Sequence, residues 1–253
     1  MTGVDPAHAQ AGFRVRLEWG PTGAAAITDG ADVAVVVDVL SFTTTVTVAV
    51  ERGVVVHPFL WRDDRAAAYA AELGATLAVG RFEAREQPGQ VSLSPASLAS
   101  VEGVERLVLP SPNGSTISAA LAGSGAEVLA GCLRNAAAVT DLLRVRVAEG
   151  AAVAVVAAGE RWPDGSLRPA VEDLWGAGSV LAGLDDTLLS PEARLAVAAY
   201  ADVADRLPDA LARCASGREL AAQGFAADVA AAAARDVTGV VPRLVDGAFT
   251  AVP

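Results

Sequence analysis

The run VAVVVDVL, Val33 to Leu40, followed by SFTTTVTVAVERG as far as Gly53, decides how the rest of the chain is read. An uninterrupted apolar stretch of this kind is the mark of a strand covered on both faces, as in parallel sheets. Its one acid, Asp38, stands near the end of the strand. Burying a carboxylate without partners is costly, so a metal ion or hydrogen-bond donors are expected beside it. The segment TVTVAVERG reads as a helix that closes at Gly53.

Working outward, VVVHPF, TLAVG, RLVLP, AEVLAGCL and AAVAVVAAG have the same strand character. Between them lie helical stretches: RDDRAAAYAAELG ending at Gly74, SPNGSTISAALAG after a turn, and AAAVTDLLRVRVAEG with Asn135 as its cap. Later helices are AVEDLWGAGSVLAGL, EARLAVAAYADVADRL up to a break at Pro208, and SGRELAAQGFAADVAAAAARD. Ser94-Pro95 and Ser190-Pro191 each pair an N-cap with proline at the first helical position. The stretches Arg81–Leu93 and ERWPDGSLRP read as loops, and GVVPRLVDGAFTAV as a closing strand. Alternating strands and helices predict an α/β fold, a mainly parallel or mixed sheet with helices on both faces. Residues 1–30 form an N-terminal segment and 31–253 the domain, divisible into two α/β halves with a boundary near 120–150.

Composition narrows the function. Hydrophobic residues make up 53% and charged residues 19% of the 253, which fits a globular chain with a large core. The net charge of −11 supplies no basic face for nucleic acid. An acidic protein that takes a small anion needs a local positive centre, and a divalent cation with a few arginines is the simplest one. Cys132 and Cys214 stand far apart without CxxC spacing, so neither a disulfide framework nor a zinc knuckle is indicated. The opening MTGVDPAHAQAG lacks a signal-peptide pattern and no apolar run is long enough to span a bilayer, so a cytoplasmic protein is expected.

In open α/β sheets, ligands sit beyond the carboxyl ends of strands. Four such junctions are polar. Asp38 is followed by Ser41, Thr43, Thr44 and Thr45, whose hydroxyls and helix-start amides suit phosphate oxygens, or simply cap the helix. Asn113-Gly114 in SPNGSTIS is a turn signal with left-handed geometry, and with Ser115 and Thr116 makes either an anion nest or a plain strand-to-helix turn. Arg134 and Asn135 in GCLRNAAAV offer an anion partner and a cap. Glu160 and Arg161 follow AAVAVVAAG, with Arg168 and then Glu172-Asp173 in the next helix start. Carboxylates there are favoured by the helix dipole alone, and they are also the hard oxygen ligands Mg²⁺ takes. His8 and His57 carry no motif, and neither a GxSxG elbow nor a dinucleotide fingerprint is present.

Taken in order, VVVDVLSFTTTVTVAVERG, LPSPNGSTI, GCLRNAAAV, AAGERWPDGSLRPAVEDLWGAG and the tail from Ser216 to Gly247 resemble the 2-phosphosulfolactate phosphatase (ComB-like) family. The resemblance runs from about Val33 to Gly247. It implies a three-layer α/β/α fold, Mg²⁺ as cofactor, and hydrolysis of a phosphate ester of a sulfonated hydroxy acid, 2-phosphosulfolactate to sulfolactate. It implies Asp38, Glu160, Glu172 and Asp173 as the metal-binding acids, with Asp38 and Glu160 catalytic. Asn113, Gly114, Ser115 and Asn135 are implied for the substrate pocket. Ser41, Thr43, Thr44, Arg81, Arg134 and Arg161 complete the expected substrate contacts. The chain departs from the family pattern at Ser41, at Gly80-Arg81 and in VSLSPASL. Two other readings stay open: a phosphatase for a different phosphorylated carboxylic or sugar acid, and an inactive member that binds a ligand or partner. A small anionic substrate, no nucleic acid, no membrane and a homo-oligomer of flat alanine-rich helices complete the expectation.

Overall fold

The computed structural model describes residues 4–60, 65–87 and 90–251. Its strands are β1 (Val15–Trp19), β2 (Val33–Val37), β3 (Val55–Leu60), β4 (Thr76–Leu77), β5 (Arg106–Ser111), β6 (Glu127–Gly131), β7 (Val153–Ala157), β8 (Glu160–Arg161), β9 (Leu167–Arg168), β10 (Pro242–Val245) and β11 (Ala248–Ala251). Nine of these form one sheet in the order β1-β7-β2-β6-β10-β11-β3-β5-β4, while β8 and β9 pair apart from it.

The sheet has two parallel blocks. β1, β7, β2 and β6 pair parallel, as do β3, β5 and β4. The antiparallel hairpin β10–β11 is spliced between them, against β6 on one side and β3 on the other. The blocks are interleaved in sequence, because the chain leaves after β2, builds β3 to β5, and returns with β6. Within 1–30, the described residues supply edge strand β1 and the helix Gly20–Ile27 that packs on it.

β2 and β7 are buried along their whole length. Side chains alternate between faces along a strand, so Val33, Val35 and Val37 join one core and Ala34 and Val36 the other. Helices Ala136–Ala148, Val171–Leu181, Pro191–Val203 and Ala226–Ala233 cover the first face. Phe42–Glu51, Gly114–Leu121 and Gly20–Ile27 cover the second. This is a three-layer α/β/α fold. The helix Phe42–Glu51 is buried at nine of its ten positions, packed on β3, β6, β10 and β11. Enclosure explains its β-branched content: propensity is weak beside burial on all sides.

Several local expectations change. Arg81–Glu86 is a helix within the stretch read as a loop, while residues 88–89 of that stretch lie outside the described residues. So does the start of RDDRAAAYAAELG, whose described helix is Ala66–Leu73. The polar loop after β7 is the small hairpin β8–β9. The closing strand is a hairpin turning at Asp246-Gly247, φ 50° and 80°, the left-handed pair that tight hairpins use. The tail helix is two helices, Ala215–Ala222 and Ala226–Ala233, parted at Gly224. No helix of the described residues is long and apolar enough to cross a membrane.

Candidate active site

β2 and β7 are neighbours, so Asp38 after one and Gly159-Glu160 after the other emerge side by side. The helix Val171–Leu181 begins against the same rim. Asp173, in its first turn, accepts hydrogen bonds from the Val39 amide at 2.7 Å and the Gly159 amide at 2.8 Å. Its carboxylate thus ties the two strand ends together. Asp38 is held likewise: one oxygen accepts from the Phe42 amide at 3.0 Å and the other from the Gly114 amide at 2.8 Å. Gly114 opens the helix after β5, so the second parallel block reaches the same point. Glu160 accepts from the Asn113 side-chain amide at 2.8 Å.

Gly114 is required here by contact rather than by φ, contrary to the left-handed expectation for Asn-Gly. A Cβ at this position would lie 2.7 Å from an Asp38 carboxylate oxygen and 2.6 Å from the Phe42 ring. The bare backbone lets its N–H reach Asp38.

The acids crowd one another. Burial, opposed by the Phe42 and Gly114 amides and aided by the Glu172 charge, pushes the Asp38 carboxyl from 3.8 to about 6. Burial and then the charge of Asp38 push Glu160 from 4.5 to about 7, against the pull of Asn113 and Arg168. Asp173 is driven well above its ordinary value by burial and by Asp38 and Glu172. Glu172 itself is buried; burial and the Glu172 charge push the Cys214 thiol, which donates to the Leu211 carbonyl at 3.2 Å, up to about 12. Among the described residues, no group of three His, Cys, Asp or Glu side chains is placed to hold one metal ion. The donor chemistry still suits Mg²⁺, a hard cation that usually takes one or two carboxylates and fills its other positions with water and phosphate.

Beside Glu160 opens a cleft of about 560 Å³, lined by Leu40, Arg81, Arg161, Arg168, Ser216 and others. Three guanidinium groups thus face one space. Arg81 donates to the Ser41 hydroxyl at 2.7 Å and makes an ion pair with Asp228 at 3.0 Å. Arg168 donates to the Ser216 hydroxyl at 3.2 Å, and its guanidinium carbon lies 5.8 Å from the centre of the exposed Trp162 ring.

Other expected contacts lie elsewhere. Thr43 and Thr44 are fully buried, their hydroxyls donating to the Asp38 and Val39 carbonyls, so they brace the strand-to-helix turn and do not face the cleft. Ser115 is spent on the Phe59 and Leu109 carbonyls. Asn135 makes no capping bond to the helix that follows it; its amide donates to the Ala130 and Val240 carbonyls and accepts from the Cys132 amide. Arg134 donates to the Ala231 carbonyl and lies near Glu51. The sequence offered no such reading of Asp228, whose partners are more than a hundred residues away.

A family model described as 2-phosphosulpholactate phosphatase matches residues 23–247. A 2-phosphosulfolactate phosphatase of Methanothermobacter thermautotrophicus is 31% identical over 221 residues, 87% of this chain and 89% of that protein. With the acids of β2, β7 and the following helix gathered at one rim, the chain belongs to the 2-phosphosulpholactate phosphatase family, a family of phosphoric monoester hydrolases.

Proposed function

We propose that the chain releases phosphate from a small phosphorylated hydroxy acid, 2-phosphosulfolactate giving sulfolactate, in a Mg²⁺-dependent reaction. One observation carries the reading: Asp38, Glu160 and Asp173, from three separate chain segments, have their proton affinity raised by burial and by neighbouring carboxylates beside a cleft lined by three arginines. Mg²⁺ would be held by one or two of Asp38, Glu160, Glu172 and Asp173, with water and phosphate in its other positions. The bound ion supplies charge neutralisation at the phosphate oxygens.

The chain's own groups then divide the work. Arg81, Arg161 and Arg168 bind the anionic groups of the substrate, as charge-assisted donors do. The two amides that grip Asp38 fix its orientation, and a pKa of about 6 suits it to accept a proton from the attacking water. Glu160, at about 7, is partly protonated at neutral pH and is suited to give a proton to the departing alkoxide. The test is phosphate release from 2-phosphosulfolactate, measured colorimetrically with Mg²⁺ and with EDTA. Release that depends on Mg²⁺ is expected. No release from it or from a panel of phosphorylated carboxylic and sugar acids would overturn the proposal, and faster release from another member of that panel would replace the substrate.

A further inference from the structure

We propose that Asp228 is a positioning residue for the substrate-binding Arg81, an inference that rests on the function proposed above. Asp228 lies in the first turn of the helix Ala226–Ala233 and is 1% exposed. One of its carboxylate oxygens accepts from Arg81 Nε at 3.0 Å. The other accepts from the Ser94 hydroxyl at 2.6 Å and the Ala96 amide at 3.2 Å. Three chain segments, the helix Arg81–Glu86, the turn at Ser94 and the tail helix, therefore meet on one buried carboxylate.

The guanidinium is divided between this anchor and the site. Nε is fixed on Asp228 and Nη2 donates to Ser41, three residues beyond Asp38. Nη1 has no protein partner among the described residues, and Arg81 lines the cleft. The Phe225 ring, 5.7 Å from the guanidinium carbon, packs along the same side chain. An arginine held at one end by a buried ion pair keeps its fork in one orientation, so less freedom is lost when an anion docks. Asp228 touches neither the acids nor the cleft; it acts through Arg81.

Asp228→Asn separates the two halves of the network. The amide oxygen still accepts from Ser94 and Ala96, while the amide nitrogen faces Arg81 donor to donor. The experiment compares wild type, Asp228→Asn, Arg81→Ala, the double variant and Ser94→Ala in Mg²⁺-dependent phosphate release from 2-phosphosulfolactate. Expected is a KM raised roughly tenfold in Asp228→Asn with kcat little changed, and no further loss when Asp228→Asn is added to Arg81→Ala, the signature of two residues in one network. Ser94→Ala, which spares the Arg81 contact, should lower Tm without raising KM. Additive losses in the double variant, or an unchanged KM in Asp228→Asn, would overturn the inference. If wild type turns over none of the phosphate esters, the function proposed above fails. The same variants titrated calorimetrically with inorganic phosphate then decide the role of Asp228: binding weakened by Asp228→Asn only where Arg81 is present supports it, and independent or absent effects refute it.

Discussion

Two cavities of similar volume sit in this molecule, and their linings differ in kind. One, about 520 Å³, is bounded by Pro58, Phe59, Leu60, Tyr69, Ala119 and Leu244, with Tyr69 stacked on Phe59 at 5.1 Å between ring centres. The other, about 560 Å³, has Glu160 and three arginines in its wall and Asp38 one hydrogen-bonded step away, through Asn113-Gly114. The first lies between β3, two helices and the β10–β11 turn. The second lies where β2 and β7 end. Volume does not separate them; chemistry does. The first hollow is mostly apolar, with Arg65 and Glu72 its charged groups, whereas convergent polar groups with displaced pKa values mark a functional site.

The comparison breaks most easily at Asp38. Asp38→Asn is expected to lower phosphate release by roughly 10³-fold or more, on the scale of losing a principal group of a catalytic unit, with circular dichroism unchanged. Tyr69→Ala in the apolar cavity should cost about 2 kcal/mol or more of stability and leave kcat/KM within about twofold. A comparable activity loss in both variants would erase the distinction between the cavities. Arg168→Ala sharpens the picture at the next level. Loss of a charge-assisted contact is worth about 1.5–3 kcal/mol, so a rise in KM of roughly 10- to 100-fold is expected from steady-state kinetics; an unchanged KM would remove Arg168 from the anion site.

The remaining effect is on stability. Asp38 and Glu160 have folded pKa values raised to about 6 and about 7. The folded state therefore holds their protons more tightly than the unfolded state. That contribution is fully present below about pH 4 and is lost as pH rises through about 6 and 7. At ~1.4 kcal/mol per pKa unit, the acid cluster should cost a few kcal/mol by pH 8. Thermal melts should therefore show this term weakening Tm between pH 5 and 8, with Mg²⁺ restoring Tm at pH 8 and having little effect at pH 5. Tm equally indifferent to Mg²⁺ at both pH values would count against the cluster as the ion's site.

The strand-end acids were legible in the sequence because they obey a local rule. Asp38 interrupts an apolar run, Glu160 follows one, and Glu172-Asp173 open a helix. A parallel sheet brings such positions to one rim. The hydroxyl run Thr43–Thr45 misled for a physical reason: enclosure of the helix Phe42–Glu51 turns these side chains onto backbone carbonyls. Asn135 looked like a cap, yet its partner is the Val240 carbonyl, whose approach depends on where the tail hairpin docks. That hairpin did carry a local signal, Asp246-Gly247 between two apolar runs, which marks a tight turn rather than one continuous strand. The pairing of Arg81 with Asp228 had none, since only the packing of three segments creates it.

The splicing of β10–β11 into the middle of the sheet constrains how the molecule is assembled. Until residues 242–251 are present and paired, β6 and β3 each show one row of unmatched backbone donors and acceptors. Such bare margins are templates for joining other chains. During synthesis both parallel blocks thus emerge before the piece that seals them to each other. Burial of Phe42, whose ring lies edge-on to Phe249 of β11 at 6.2 Å, is completed only by that late arrival.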